Sequence, residues 1–435
     1  MLTHETRKMG LIYKARKLMW RHMAVWFGAC LITLHANNVT AQEQDRIYTV
    51  GERFARVLQP VGLPVGAMRL YPRVGVGGLY TDNVFANDDF EKNDWALLSQ
   101  AEAVLQSETS RYSAEIGGRG EFARFDDFDE NDYDNGKLWF TGQLGITSRN
   151  DVQFDVSYAG LTEPRTSANI EDDSTELTEY DVTTVSGVYN YQPSRWKLRL
   201  DARYRDLDFD DVSTLRGKVD NSDRDREMVD FGARIGFDIE RNYGVFLEGR
   251  IDDVDYDQRF DNDGVERSYD GYEVRLGSEL ELTGLITGEF FVGYLSRDFD
   301  DPDFDTSDGL SYGSALNYVI TDLWTLKIGG SRTTEPTTVD GASTILASEV
   351  SLDLDYELRR NLVLQTGIKY INDDFESTSR EDDDIIFTFG AEYRMNRNFW
   401  LKAGFRHWNR DSSPSAAGGR EFTINEVTLA LTYQI

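Results

Sequence analysis

Residues 196–205 read Trp-Lys-Leu-Arg-Leu-Asp-Ala-Arg-Tyr-Arg. The even positions, Trp196, Leu198, Leu200, Ala202 and Tyr204, are apolar, and the odd ones, Lys197, Arg199, Asp201, Arg203 and Arg205, are all charged. Side chains alternate faces along a strand, so this segment has one greasy face and one strongly polar face. A soluble sandwich alternates too, but needs a second sheet over its apolar face, whereas a barrel in lipid uses the bilayer for that. Repetition decides between them.

The same parity recurs in Phe231, Ala233, Ile235, Phe237 and Ile239 against Asp230, Arg234 and Asp238, and in Leu352, Leu354, Tyr356 and Leu358 against Asp353, Asp355 and Glu357. It returns at Leu362, Leu364, Thr366, Ile368 and Tyr370, at Ile385, Phe387, Phe389, Ala391 and Tyr393, and in the final Val427, Leu429, Leu431, Tyr433 and Ile435. None of these segments is a long apolar run. Short connections at residues 107–110, 148–150, 192–194, 241–242, 283–284, 321–322, 359–361 and around Asn396 alternate with longer ones rich in Asp, Asn and Gly. The long loops are expected at 81–94, 125–135, 161–176, 206–224, 252–270, 298–308, 332–342, 372–384 and 409–420. The segments between them run to the ~9–11 residues that a tilted membrane strand needs, or somewhat more. The expectation is an all-β, up-and-down antiparallel transmembrane barrel of about eighteen strands, an even number as bacterial barrels require. Short turns and both termini then face the periplasm, and the long acidic loops face outward.

Composition alone points elsewhere. A chain of 435 residues with a net charge of −31 and 40% hydrophobic residues suggests a soluble acidic protein. A barrel with a polar lumen and wet loops needs only about half of each strand to be apolar, so the composition is no objection. The one candidate helix, residues 23–34, is shorter than the ~20 residues a spanning helix needs. It follows Arg7, Lys8, Lys14, Arg16, Lys17 and Arg21 and precedes Val39-Thr40-Ala41. A basic stretch, a short apolar core and a small-residue site make a secretory signal peptide, with Met9 and Met19 as alternative starts. The bland alternative is an amphipathic surface helix. Cys30, the only cysteine, lies in this leader, so the mature chain is expected to have no disulfide and no thiolate metal site. Phe27-Gly28-Ala29-Cys30 is faintly like a lipobox, but the apolar stretch continues past the cysteine. The expected division is a signal peptide over 1–41, a periplasmic N-terminal segment over 42–67 and an outer-membrane β-barrel over 68–435. Residues 42–67 are too few for a plug domain, which leaves them to lie in the lumen or meet a periplasmic partner.

Aromatic residues cluster beside the short connections: Tyr189, Tyr191 and Trp196 at one, Tyr318 and Trp324 at another, Tyr393 and Phe399 at a third. Rings with a polar edge favour the water–lipid boundary, so these read as an inner aromatic girdle. Plain strand propensity is the alternative. The loop at 125–135 carries Asp126, Asp127, Asp129, Glu130, Asp132 and Asp134 with no base. Divalent ions bridging it to lipopolysaccharide is one reading and a solvated loop the other, which is preferred because the fixed glycine and terminal bidentate Glu of a calcium loop are missing. Asp301, Asp303, Asp305 and Asp308 come nearest and also miss. No metal and no cofactor are expected.

The chain's entry into the barrel reads Pro60-Val61-Gly62-Leu63, then Arg69-Leu70-Tyr71-Pro72, then Tyr80-Thr81-Asp82-Asn83-Val84-Phe85. This resembles the putative β-barrel porin 2 family of Gram-negative outer membranes, in which a Pro-x-Gly-[Ile/Leu] entry, an Arg-x-Tyr-Pro first strand and an aromatic-x-Asp-Asn-Val-Phe close follow one another. The likeness extends over the mature chain in length and strand pattern, while its specific motifs cover the first strand and the last. The resemblance implies a barrel. Because some members resemble outer-membrane components of exopolysaccharide secretion, it also suggests polysaccharide passage without naming a substrate. The last strand, with Val427, Leu429, Leu431 and Tyr433 alternating, resembles the signal read by the outer-membrane insertion machinery. It departs from the common pattern by ending in Ile435 in place of an aromatic residue.

An enzyme reading is weak by inventory. His4, His22 and His35 lie in the leader, leaving His407, which shares parity with Phe399, Leu401, Ala403 and Phe405 on the expected lipid face. A serine hydrolase would need a histidine beside its serine, so no catalytic residue is assigned. The inward parity collects Arg203, Arg205, Arg234, Arg250, Arg275, Lys369, Arg394 and Arg406, together with Arg119, Lys197, Arg199, Lys327 and Lys402. Rings of base select anions, which would suit acidic sugars. The rival is an ion-pair lattice, since Asp201, Asp230, Asp238, Glu248, Glu273, Glu279, Asp353 and Glu392 share that face. A barrel of this width leaves room for water. The expected function is therefore a pore for solutes or for export of an exopolysaccharide; the alternatives are a non-conducting structural or receptor barrel and, less favoured, an outer-membrane hydrolase. Expected partners are outer-membrane lipid and lipopolysaccharide, the insertion machinery and, for an exporter, periplasmic polysaccharide export components, and no nucleic acid.

Overall fold

The computed structural model describes residues 47–435 except 108, 110–111, 171–173, 241, 283 and 414–418. The expected leader, residues 42–46 and parts of the connections expected at 107–110, 161–176, 241–242, 283–284 and 409–420 lie outside the described residues.

Alternation of apolar and polar side chains produces eighteen long strands of 12–15 residues, from Met68–Thr81 to Phe422–Gln434. Each pairs antiparallel with its neighbour in sequence. The first and last strands pair from Arg73↔Gln434 to Thr81↔Glu426, so the sheet closes on itself. One extra short strand, Leu63–Val65, folds back on Met68–Leu70 and pairs the part of the first strand that runs past the end of the last. Closure satisfies every ladder internally, which is what a sheet in hydrocarbon requires.

The two faces separate as the parity demands. Leu276 is 61% exposed, Val292 55% and Leu352 44%, all on the outward face, while Glu248 on the inward face is 2% exposed. So much exposed apolar surface on a folded chain is a lipid-facing band.

Short connections all lie at one end, with both described termini, and long ones at the other. Several loops are shorter than the sequence suggests. Asp253 and Asp255 lie in the strand Tyr243–Tyr256, Asp270 in Tyr269–Leu282 and Asp383 in Glu381–Arg394. Above the lipid the outward face no longer has to be apolar, so the hydrogen-bonded ladder continues with carboxylates on it.

Apolar packing inside the barrel sits at the two mouths, not at mid-height. At the loop end Met228, Val254, Tyr256, Tyr269 and Phe299 form one cluster and Val339, Ala342, Ile345 and Phe375 another. At the opposite end Val50 and Phe54 pack on Val363.

Candidate functional site

The inward faces of the strands build a lumen wall of charge. Arg234 and Arg275, the cross-strand partners of Glu248, and Arg250, two residues along its own strand, surround it at 2.6, 3.6 and 2.9 Å. Arg250 also meets Asp201 at 3.0 Å, Arg275 meets Glu273 at 2.6 Å, and Arg234 reaches Glu289 at 2.8 Å. Elsewhere on the wall Arg205 lies 3.6 Å from Asp230, Lys369 2.9 Å from Glu349, Arg394 3.0 Å from Glu392 and Arg406 2.6 Å from Glu426. Of the eight bases expected to line the pore, only Arg203 makes no ion pair among the described residues. The wall is thus an ion-pair lattice: the carboxylate beside each paired base cancels most of its field at a distance.

The outer mouth is crossed by a strap. The connection between strands Asn150–Thr162 and Glu179–Tyr191 leaves the fifth long strand and reaches the far wall. There Asn169 Oδ1 accepts hydrogen bonds from Thr337 Oγ1 at 2.7 Å and Thr338 N at 3.0 Å. Ala168 packs against the cluster of Val339, Ala342, Ile345 and Phe375, beside the fourteenth and fifteenth strands. Eight strands of eighteen lie between the fifth and the fourteenth, so the strap spans the barrel.

Arginines anchor the strap's root, its course and the loop that receives it. At its root Arg224 grips Glu163 through two hydrogen bonds of 3.0 and 2.9 Å, both side chains buried. Arg410, itself bound to Asp384 at 2.6 Å, donates to Thr166 O at 2.9 Å. Arg165 donates to Asn131 Oδ1 at 2.9 Å and Ser174 Oγ at 2.6 Å. Burial, with Arg420 beside it, holds the Arg165 guanidinium down to about 10. On the far side Arg267 donates to Thr337 O and Ala342 O, at 2.9 and 2.8 Å, and meets Asp261 at 2.6 Å, fixing the loop that receives the strap.

The inner mouth holds a helix, Val50–Arg56. Thr49 and Glu52 close a capping box, and the lumen wall supplies the remaining caps. Val50 N donates to Thr325 Oγ1 at 2.9 Å. Arg394 donates to Phe54 O at 2.5 Å and Val57 O at 2.8 Å, with its guanidinium 4.1 Å from the Phe54 ring and 4.0 Å from that of Trp400. Arg53 pairs with Glu357 at 3.1 Å. After the helix the chain turns at Gly62, whose φ of +70° suits glycine and whose Cβ would lie 2.7 Å from the Tyr71 ring. Residues 50–57 therefore lie against the lumen wall at the end that carries the short turns, and Leu63–Val65 joins the sheet there.

The model of the family described as "Putative beta-barrel porin 2" matches residues 56–435. The chain belongs to this porin family. No curated protein sequence matches it. Among solved structures it is similar to a BenF-like porin from Pseudomonas fluorescens Pf-5, at 11% identity and a TM-score of 0.44, over 84% of this chain and 99% of that one. It is similar to OpdK of Pseudomonas aeruginosa with vanillate at 12% identity and 0.43, over 84% and 98%. A bacterial polysaccharide outer membrane secretin aligns at 10% identity and 0.36, over 84% and 98%. The family match, with a closed lipid-faced barrel, makes the protein an outer-membrane barrel pore of a Gram-negative bacterium.

On this porin the structure places the aromatic residues singled out in sequence on the outward face at the short-turn end. Tyr191, Trp196, Tyr318, Tyr393 and Phe399 are 37–56% exposed there. Trp324 stacks on Tyr356 at 4.1 Å, and Phe399 lies 5.1 Å from Tyr433. Val427, Leu429, Leu431 and Tyr433 face outward, while Ile435 is held at both backbone atoms, by Pro72 O and Gly62 N. His407 is also outward, 2.8 Å from Asn425 Oδ1. In the acidic loops Asp94 accepts from Asp127 N and Phe128 N, and Asp301 from Glu266 N and Asp303 N. Among the described residues no group of three or more His, Cys, Asp or Glu is arranged to hold a metal.

Sequence reasoning named the lumen as one place for residues 42–67 without placing a helix there, and it did not place the strap. The helix had a signal: Thr49-Val50-Gly51-Glu52 is a capping box, with Val50 and Phe54 one turn apart. The strap had none, because Asn169 and Thr337 are 168 residues apart and each sits in an ordinary polar loop.

Proposed function

We propose that this porin passes hydrophilic solutes across the outer membrane, or an exopolysaccharide outward, without catalysis. The observation that carries the reading is a closed eighteen-strand wall whose inward face carries ion pairs between its two mouths. An ion-pair lattice favours a hydrated, weakly selective lumen over one lined by bare rings of base. The outward position of His407 leaves the lumen without a histidine among the described residues, which supports a non-enzymatic role. Planar-bilayer recording of the purified barrel tests the pore: stepwise conductance is expected. Deleting the gene in the source organism tests the cargo. Loss of extracellular polysaccharide supports export, whereas normal secretion with altered uptake of small solutes supports an ordinary porin.

A second reading, a non-conducting structural or receptor barrel, is favoured by one observation: the strap across the outer mouth and the helix at the inner one both obstruct the lumen. A barrel that stays silent in bilayers after both are removed would establish it. Outer-membrane lipid, lipopolysaccharide and the insertion machinery are the partners the lipid-facing band and the last strand would meet, and periplasmic export components would meet the inner mouth of an exporter.

A further inference from the structure

We propose that the helix Val50–Arg56 is a displaceable latch that narrows the inner mouth, so that the pore has a latched and an open state. The proposal rests on the pore reading above. An isolated helix of under two turns does not hold together in water, so its presence depends on its surroundings. Those surroundings are specific at both ends: Thr325 takes the first-turn N–H of Val50, and Arg394 takes the last-turn carbonyl of Phe54 and the carbonyl of Val57. These are groups a helix cannot satisfy alone. Between the ends, Arg53 meets Glu357 on a wall stretch that also carries Asp353 and Asp355 against the single base Lys327. A basic helix on an acidic wall is a charge-matched pair.

The hold is nevertheless slight. It amounts to one apolar cluster of Val50, Phe54 and Val363, the buried end contacts at Thr325 and Arg394, and the partly exposed pair of Arg53 with Glu357. Ladders run beneath it from Trp324–Glu335 to Phe399–Ser412, with one bulge between Glu357 and Arg359, so the wall does not need the helix in order to close. A helix with its side chains is about 10 Å across, and a barrel of this strand number is roughly 35 Å across its backbone. Docked on the wall, the segment therefore takes up a substantial part of the free bore.

The test is single-channel recording of the full-length barrel and of charge variants. Arg53→Glu sets two carboxylates against each other and should raise the open fraction several-fold. Arg53→Glu with Glu357→Arg restores the pair in reverse and should return the open fraction towards the starting value. That rescue separates a latch from general damage. A second variant locks the latch: Val50→Cys with Thr325→Cys joins positions whose backbone N and hydroxyl lie 2.9 Å apart. Cys30, the sequence's only cysteine, precedes the described residues, so a leader-free barrel carries only this pair. Oxidation should abolish the larger openings and reduction restore them. Conductance that is unchanged by Arg53→Glu and by the oxidised lock overturns the latch while leaving the pore. A channel silent in every variant, including one lacking both residues 47–59 and the outer strap, overturns the pore reading itself.

Discussion

Replacing Asn169 by alanine removes the two hydrogen bonds that tie the outer strap to the far wall, 2.7 Å to Thr337 Oγ1 and 3.0 Å to Thr338 N. Each such bond is worth about 1 kcal/mol net, so the pair holds the strap by about 2 kcal/mol. That corresponds to about a 30-fold rise in the detached fraction. The other ties, Arg410 to Thr166 O and the seat of Ala168 on the Val339 cluster, stay in place, so the barrel itself is unaffected. Amide hydrogen exchange at Thr338 reads the change directly, because Thr338 N donates to Asn169 Oδ1. Protection there should fall by about that factor, while Glu163 N, bonded to Thr178 O at the strap root, keeps its protection. Protection at Thr338 unchanged to within about two-fold would show that the strap is not held by Asn169, and the estimate from counting bonds would fail.

Three further outcomes are expected. Arg224→Met strands the buried Glu163 carboxylate and should cost about 3–5 kcal/mol in denaturant unfolding of the outer loops, whereas Arg224→Met with Glu163→Met should recover most of it. Ile368→Arg puts a charge on the lipid face and should cost about 2–4 kcal/mol, seen as a lower folded fraction in the heat-modifiable gel shift; Lys369→Ala, one residue along on the lumen face, should be mild by comparison. In the outer loops Asp223, Asp257, Asp300 and Glu376 are all pushed up, first by burial; neighbouring carboxylates add to the shift. Carboxyls raised in the folded state bind protons there before the unfolded chain does, so their penalty is full above the raised values and is relieved as pH falls through them towards the ordinary range. Outer-loop amide protection, corrected for intrinsic exchange, should hold or rise from about pH 7 to about pH 5, and a steady fall would contradict the sign.

The alternation at residues 196–205 and its repeats determined the fold class and most of the strand positions by themselves, because a strand's two faces meet different solvents and each residue's parity records which. In the structure Arg234, Glu248 and Arg275 lie on the inward face and Leu276 and His407 on the outward one. Parity does not report whom a lumen base meets. Arg394 looked like any other pore-lining cation, and only closure brought it under the helix, between Phe54 and Trp400. The loop ends were misjudged where Asp253 or Asp383 stands in a strand, since above the lipid a carboxylate is as much at home on a ladder as in a turn. Both obstructions are tertiary decisions. Local periodicity is written into neighbouring residues, whereas the contact of Asn169 with Thr337, or of Val50 with Thr325, exists only once the eighteenth strand has met the first and curved opposite walls towards each other.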